Sequence, residues 1–267
     1  MYKLIALDID GTLLNSKREI SKKTKEYMKK AYEKGVKFVL ISGRSTATMI
    51  EIAKETGIDK MGGYIIGCNG GVCLNLVNNE IIYEKSIPNK YLKDIYEFAE
   101  KKDVPMLVYK DEEFYLTRNK ENYILLTERF PYKKNIIETK DFLDEVKFDF
   151  NKALLVDSPE KILECEKEAL KEFPNYELTR SEPIFLEFSP NGVHKAIGIS
   201  KIMEIMNIKI DEVIAVGDSY NDLTMIEFAG LGVAMGNAHK EVKEIADYVT
   251  LSNDEEGISH IIEKFIL

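Results

Sequence analysis

The sequence predicts an α/β fold, a doubly wound and mainly parallel sheet interrupted by an inserted α+β domain. Three features predict it. Short apolar runs alternate with helical patterns over residues 1–67, the same alternation returns after residue 192, and the stretch between mixes hairpins with isolated helices. Parallel strands need crossover connections, and these are right-handed, so the alternation implies an open sheet covered on both faces.

Leu4-Ile5-Ala6-Leu7 is a short apolar run ending at Asp8, suited to a strand buried on both faces. A helical pattern over 21–33 follows, with Ser21 as N-cap and Gly35 as stop, and then a second buried strand at 36–41. The next helix is expected at 45–56, closed by Gly57, and a third strand at 64–67. Residues 72–77 and 81–85 flank Asn78-Asn79 as a β-hairpin. A helix is expected at 91–101, a hairpin pairing 106–109 with 114–117 around Asp111-Glu112-Glu113, a strand at 153–156, a helix opened by Ser158-Pro159, and strands near 176–179 and 184–188. After Ser189-Pro190-Asn191-Gly192 come a helix at 193–206, a buried strand at 213–216, a helix from 223, a short strand at 232–235 and an amphipathic helix at 255–265. The economical topology is a core of 1–85 and 189–267 with a second domain, 86–188, inserted.

The bulk numbers exclude several functions. The 267 residues are 45% hydrophobic and 31% charged, with a net charge of −9, which argues against a nucleic-acid or anionic-membrane surface. The most basic run, 17–30, has Ile20, Thr24, Tyr27 and Met28 at helical spacing and reads as the solvated face of a helix. No leader pattern and no membrane-length apolar run occurs, so a cytoplasmic location is expected. Cys68, Cys73 and Cys165 form no C-x-x-C pair and read as buried small residues, and the sequence gives no signal for self-association.

Four places carry chemistry. In Asp8-Ile9-Asp10-Gly11-Thr12-Leu13 two carboxylates follow a buried strand directly, where both can face the crevice at the carboxyl edge of the sheet. Like charges that close need a cation or one shifted proton, and either serves phosphoryl transfer. Ser42-Gly43-Arg44 leads into the second helix with Ser45 near its start, giving an anion cradle or an ordinary cap. Lys195 opens a helix where its charge opposes the macrodipole, so helix formation alone does not explain it. Gly217-Asp218-Ser219-Tyr220-Asn221-Asp222 repeats the strand-then-acid pattern with oxygen donors of the kind Mg²⁺ prefers. His239 and His260 lie outside these places, as surface or packing residues.

DIDGTL at 8–13, Ser42 within LISGR, Lys195, and GDSYNDLTM at 217–225 resemble the four motifs of the haloacid dehalogenase (HAD) superfamily. Their order and spacing are similar to those of the Cof-type phosphatases, whose large α/β cap lies between the second and third motifs, and Cys68-Asn69-Gly70-Gly71 resembles a turn of that subfamily. The resemblance spans nearly the whole chain and implies a Rossmann-like core, with Asp8 as nucleophile and Asp10 as acid and base. It implies that Ser42, Gly43 and Lys195 hold phosphoryl oxygens with Asn221 nearby, and that Asp8, the backbone carbonyl of Asp10 and Asp218 bind Mg²⁺ with Asp222 in support. Thr12, Arg44 and Asn69, in or beside these motifs, are candidates for meeting the substrate. One departure is Ala196, where the family more usually has Gly.

The implied activity is hydrolysis of a small phosphate monoester, with sugar phosphates ahead of flavin mononucleotide or pyridoxal phosphate. A phosphomutase or phosphotransferase would use the same aspartyl-phosphate. A catalytically silent binding module would be free to lose Asp8 or Asp10, and both are present. No G-x-G-x-x-G follows the first strand, which speaks against dinucleotide binding. Substrate choice is expected to lie in the inserted domain, with 182–187 as a candidate segment.

Overall fold

The computed structural model describes residues 1–110, 113–117, 136–180 and 182–267. They form two compact units, Met1–Glu84 with His194–Leu267, and Lys85–Val193. The first unit combines both ends of the chain, and its limits fall one residue before and five residues after those expected from sequence. No helix among the described residues is long and apolar enough to cross a membrane.

In the first unit, β1 (Leu4–Asp8) is central to an eight-stranded sheet. On one side lie β2 (Lys37–Ile41), β3 (Tyr64–Gly67), β4 (Val72–Asn75) and β5 (Glu80–Glu84), and on the other β12 (Val213–Gly217), β13 (Leu231–Ala234) and β14 (Tyr248–Val249). Pairings from β14 to β3 are parallel, and β4 alone is reversed, antiparallel to β3 on one side and to β5 on the other. Every residue of β1 and β12 is buried. Because side chains alternate between the faces of a strand, an unbroken buried run requires cover on both. The chain moves outward from β1 through β2 and β3 in one direction and from β12 through β13 and β14 in the other. This reversal opens a crevice at the carboxyl ends of β1 and β12. Register sets Leu7 beside Val216, so Asp8 and the Gly217-Asp218 step leave the sheet at one edge.

Each helix expected in this unit forms, one of them starting later than its signal, and a further short helix at Lys240–Ile245 was not expected. Helix α1 (Lys22–Glu33) starts at Ser21, whose Oγ accepts the Thr24 N–H at 3.0 Å, and it packs on the closing helix α9 (Gly257–Phe265). The helix expected from Ser45 begins later, as a 3-10 turn at Ala47–Met49 followed by α2 (Ile50–Thr56). Residues 42–44 bend without entering a helix, because the carbonyls of Ser42 and Arg44 accept the N–H groups of Asn69 and Cys68 at 3.0 and 2.7 Å. Ser45 therefore does not cap α2, and the first helical turn begins two residues beyond it. Helix α6 (Lys195–Met206) begins at Lys195, after a turn in which Val193 N–H donates to Pro190 O at 3.0 Å. Helix α7 (Leu223–Phe228) follows β12, and α8 (Lys240–Ile245) lies between β13 and β14.

The second unit is a six-stranded sheet in the order β10 (Tyr176–Thr179), β11 (Phe185–Pro190), β9 (Ala153–Val156), β6 (Met106–Lys110), β7 (Glu113–Leu116), β8 (Ile136–Glu138). Its pairings are antiparallel except β7 with β8. Glu113 of the expected turn begins β7, while Asp111 and Glu112 lie outside the described residues. Helices α3 (Leu92–Lys102), α4 (Phe142–Glu145) and α5 (Pro159–Glu172) contribute Ile95, Phe98, Phe142 and Ile162 to one apolar cluster with Met106, Leu155 and Phe188. The alternate positions Leu107, Tyr109 and Leu154 join a smaller cluster with Phe114 and Leu116. All three cysteines are buried, and none of them forms a disulfide.

Phe98 is 2% exposed and meets Phe173 edge-on at 5.3 Å and Phe188 at 6.3 Å. Phe98→Ala is expected to destabilise the second unit by about 3–5 kcal/mol, measured by urea unfolding.

Candidate active site

Both acid-bearing strand ends meet. Single carboxylate oxygens of Asp8, Asp218 and Asp222 lie within 4.8 Å of one another. Asp8 ends β1 and is 5% exposed, while Asp222 is fully buried. Three carboxylates this close are strongly repulsive, and Lys195 is the positive charge set against them. Its Nζ lies 2.5 Å from Oδ1 of Asp8 and 2.5 Å from Oδ1 of Asp222, with Lys195 itself wholly buried. This is the interaction that offsets the unfavourable place of Lys195 in the first turn of α6.

One ammonium is not enough for the cluster. Burial pushes the Asp8 carboxyl well above the usual carboxylate range, with Lys195 opposing and Asp222 and Asp218 adding to the rise. Burial also raises Asp218 to about 7, helped by the charge of Asp222 and opposed by the Thr12 hydroxyl and Lys195. Burial would lower Lys195, but Asp222 and Asp8 outweigh it and hold the ammonium above its ordinary value. The group is thus an oxygen donor set short of positive charge, which suits a hard divalent cation.

Each remaining residue named from sequence has a definite place. Asp222 Oδ2 accepts the backbone N–H groups of Asp218 and Ser219, both at 2.9 Å, so one oxygen braces the loop after β12 while the other meets Lys195. A Cβ at Gly217 would overlap the Asp222 carboxyl, so only glycine allows that approach. Thr12 is buried and donates to Asp218 Oδ1 at 2.8 Å, aiming that carboxylate. Asp10 is held by Arg44, whose Nε and Nη2 lie 2.7 and 2.5 Å from its two oxygens. Ser42 is buried at the end of β2, and its Oγ accepts the Arg44 N–H at 3.3 Å. Gly43 lies against Asn69, where an added Cβ would come 3.1 Å from Oδ1, and the same Oδ1 accepts Asn221 Nδ2 at 3.1 Å. Ser42, Gly43, Asn69 and Asn221 therefore form one polar patch beside the acids.

His260 bonds Tyr248 at 2.9 Å, a packing role, whereas His239 stacks on Tyr220 at 4.6 Å and donates its backbone N–H to Asp218 O at 3.0 Å. The loop after β13, which carries His239 and Asn237, was not singled out in the sequence. The signal available was topological, since β13 is a third parallel strand ending at the same edge.

The haloacid dehalogenase-like hydrolase family matches residues 5–262. A Bacillus subtilis (strain 168) relative, 5-amino-6-(5-phospho-D-ribitylamino)uracil phosphatase YcsE, is 31% identical over 266 residues, covering 99% of this chain and 96% of its own. A haloacid dehalogenase-like hydrolase from Bacteroides thetaiotaomicron superposes with a TM-score of 0.89 at 41% identity, covering 99% of each chain. The HAD subclass IIB sugar phosphatase BT4131 superposes at 0.85 with 31% identity, covering 98% of each. Motifs, fold and these likenesses agree over the full length, and the chain belongs to the haloacid dehalogenase-like hydrolase family, among its Cof-type phosphatases.

Proposed function

We propose that the chain is a Mg²⁺-dependent phosphate monoester hydrolase that works through an aspartyl-phosphate on Asp8, with a small phosphorylated metabolite as substrate and a sugar phosphate as the leading class. The observation that carries this reading is the buried Asp8 carboxylate, paired with Lys195 at the sheet edge it shares with Asp218. A carboxylate nucleophile needs no separate base, and Lys195 offsets its repulsion from an incoming phosphate. One oxygen of Asp8 attacks phosphorus, the ester P–O bond breaks, and the alcohol leaves with a proton from Asp10. Asp10, now a carboxylate, takes a proton from water as that water attacks phosphorus, and phosphate leaves Asp8 free. Proton donation requires the Asp10 pair with Arg44 to open, since Arg44 holds both oxygens. Ser42, Gly43 and Asn221 meet the phosphoryl oxygens.

Asp8, Asp218 and the Asp10 carbonyl would hold the cation, with Asp222 supporting them, and the ion would neutralise charge shared by nucleophile and phosphate. The sugar phosphatase BT4131 supports a sugar phosphate, and the uracil-ribityl phosphatase supports a phosphorylated polyol. The second unit is proposed as the cap that sets this choice, through 182–187 among other segments. A panel of phosphate monoesters tests the substrate class, and phosphate release against transfer to added sugar tests hydrolysis against phosphotransfer.

Asp8→Asn is expected to lower turnover of p-nitrophenyl phosphate by about 10⁴-fold or more with an unchanged circular dichroism spectrum, and near-normal turnover removes Asp8 from the nucleophile role. EDTA is expected to abolish activity and excess Mg²⁺ to restore it, whereas full activity in chelator defeats the metal assignment. The folded value of Asp218, about 7, exceeds its ordinary 3.8, so its contribution to stability is full below pH 3.8 and is lost as pH rises through about 7. Metal-free protein should therefore lose thermal stability between about pH 4 and 7 relative to Asp218→Asn, and level off above. Over the same window Mg²⁺ should bind more tightly, by about tenfold per pH unit for each proton displaced, as read by calorimetry.

A further inference from the structure

The loop after β13 touches both acid-bearing loops. Asn237 Nδ2 donates to the carbonyl oxygen of Gly11 at 2.8 Å, and two residues on, the His239 N–H donates to the carbonyl oxygen of Asp218 at 3.0 Å. One short span thus holds the loop after β1 and the loop after β12 at once. Asn237 is itself held, because its Oδ1 accepts the Asn253 N–H at 3.0 Å, and Asn253 Nδ2 donates to the carbonyl oxygen of Leu14 at 2.9 Å. The Asn237 amide links two backbone groups, and the Asn253 amide carries the chain of contacts on to a third. An aspartate of the same shape lacks the donor, and an alanine lacks both ends.

The geometry between the two acid loops is tight. Gly11 has φ +82°, and a Cβ there would overlap the Asp218 carboxylate, so the first loop's backbone lies directly against the second loop's acid. The carbonyl that Asn237 grips belongs to the Gly11–Thr12 peptide, next after the peptide that carries the Asp10 carbonyl, and Thr12 bonds Asp218. Turning that peptide moves the Asp10 carbonyl and the hydroxyl that aims Asp218. Partners one bond removed from a cation's donors commonly change its affinity by about 10–100-fold.

We propose that Asn237 and Asn253 are positioning residues that fix the spacing between the Asp8–Thr12 loop and Asp218, and through it the affinity of the acid cluster for a divalent cation. This rests on the metal-dependent reading above. Mg²⁺ titrated calorimetrically into the metal-free full-length protein tests it, alongside kcat and KM for p-nitrophenyl phosphate at several Mg²⁺ concentrations. Asn237→Ala is expected to bind Mg²⁺ about tenfold more weakly, and Asn237→Asp at least as weakly despite its matching shape. The deficit in kcat should shrink at high Mg²⁺ while KM for the ester stays near wild type. Asn237 is exposed, so melting temperatures should change by only a few degrees. The two asparagines form one relay, so Asn237→Ala with Asn253→Ala should be little weaker than Asn237→Ala alone. Both Asn237 variants binding Mg²⁺ within twofold of wild type overturns the brace, and fully additive losses overturn the relay. A wild type that takes up no Mg²⁺ overturns the metal-dependent reading and this proposal with it.

Discussion

The site depends on one buried ammonium. Lys195 lies between Asp8 and Asp222 with no exposed surface, and these three come from the start of α6, the end of β1 and the loop after β12. Withdrawing an ion from water costs several kcal/mol even after relaxation, so such a group persists only where opposite charges and hydrogen bonds answer it closely. Lys195 is answered by two carboxylates, and Asp222 is answered again by two backbone N–H groups. The same contacts that make the lysine tolerable bring three distant segments to one point. Stability and chemistry therefore share their parts here, and the excess of acids left over is what makes the place receptive to a cation.

Much of the site was legible because its residues follow buried strands. Leu4 to Leu7 and Val213 to Val216 are unbroken apolar runs, and an acid placed straight after such a run has little room to be ordinary surface. Lys195 stood out for the opposite reason, as a charge where the helix itself disfavours one. What escaped notice depends on partners without a side-chain signature. Asn237 meets a backbone carbonyl 226 residues away, and no pattern of residue types records that. The start of α2 was misplaced because the carbonyls of Ser42 and Arg44 are taken by the Cys68-Asn69 turn, a tertiary contact overriding a local signal. The pairing of Arg44 with Asp10 was equally hidden, although each residue was named separately.

The second unit shows the same limit in another form. Most of its strands and helices were readable from alternation and from the Ser158-Pro159 start, since Ser158 Oγ accepts the Lys161 N–H, whereas the short β8 and α4 carried no signal of their own. Its inner polar feature was not. Lys152 and Glu187 pair at 3.0 Å with 2% and 4% of their side chains exposed, and Lys152 lies over the Tyr109 ring at 4.6 Å. Glu187 falls inside the segment expected to influence substrate choice, but only tertiary structure gives it a lysine partner from the residue before β9. Breaking such a buried pair leaves an uncompensated charge, so changes there act on the fold as well as on recognition.

The position of β1 has a consequence for synthesis. As the polypeptide emerges from the ribosome, β1 appears before both its neighbours, and one of them, β12, follows only after the whole inserted unit has been made. Until then one flank of the apolar β1 has no strand beside it, and Asp8 has neither Lys195 nor Asp218 within reach. The nascent chain must shelter that open flank from other chains. The acid cluster also stays unassembled until the segment through Asp222 has been made, so a product ending before it would carry DIDGTL without Lys195 or Asp218 beside Asp8.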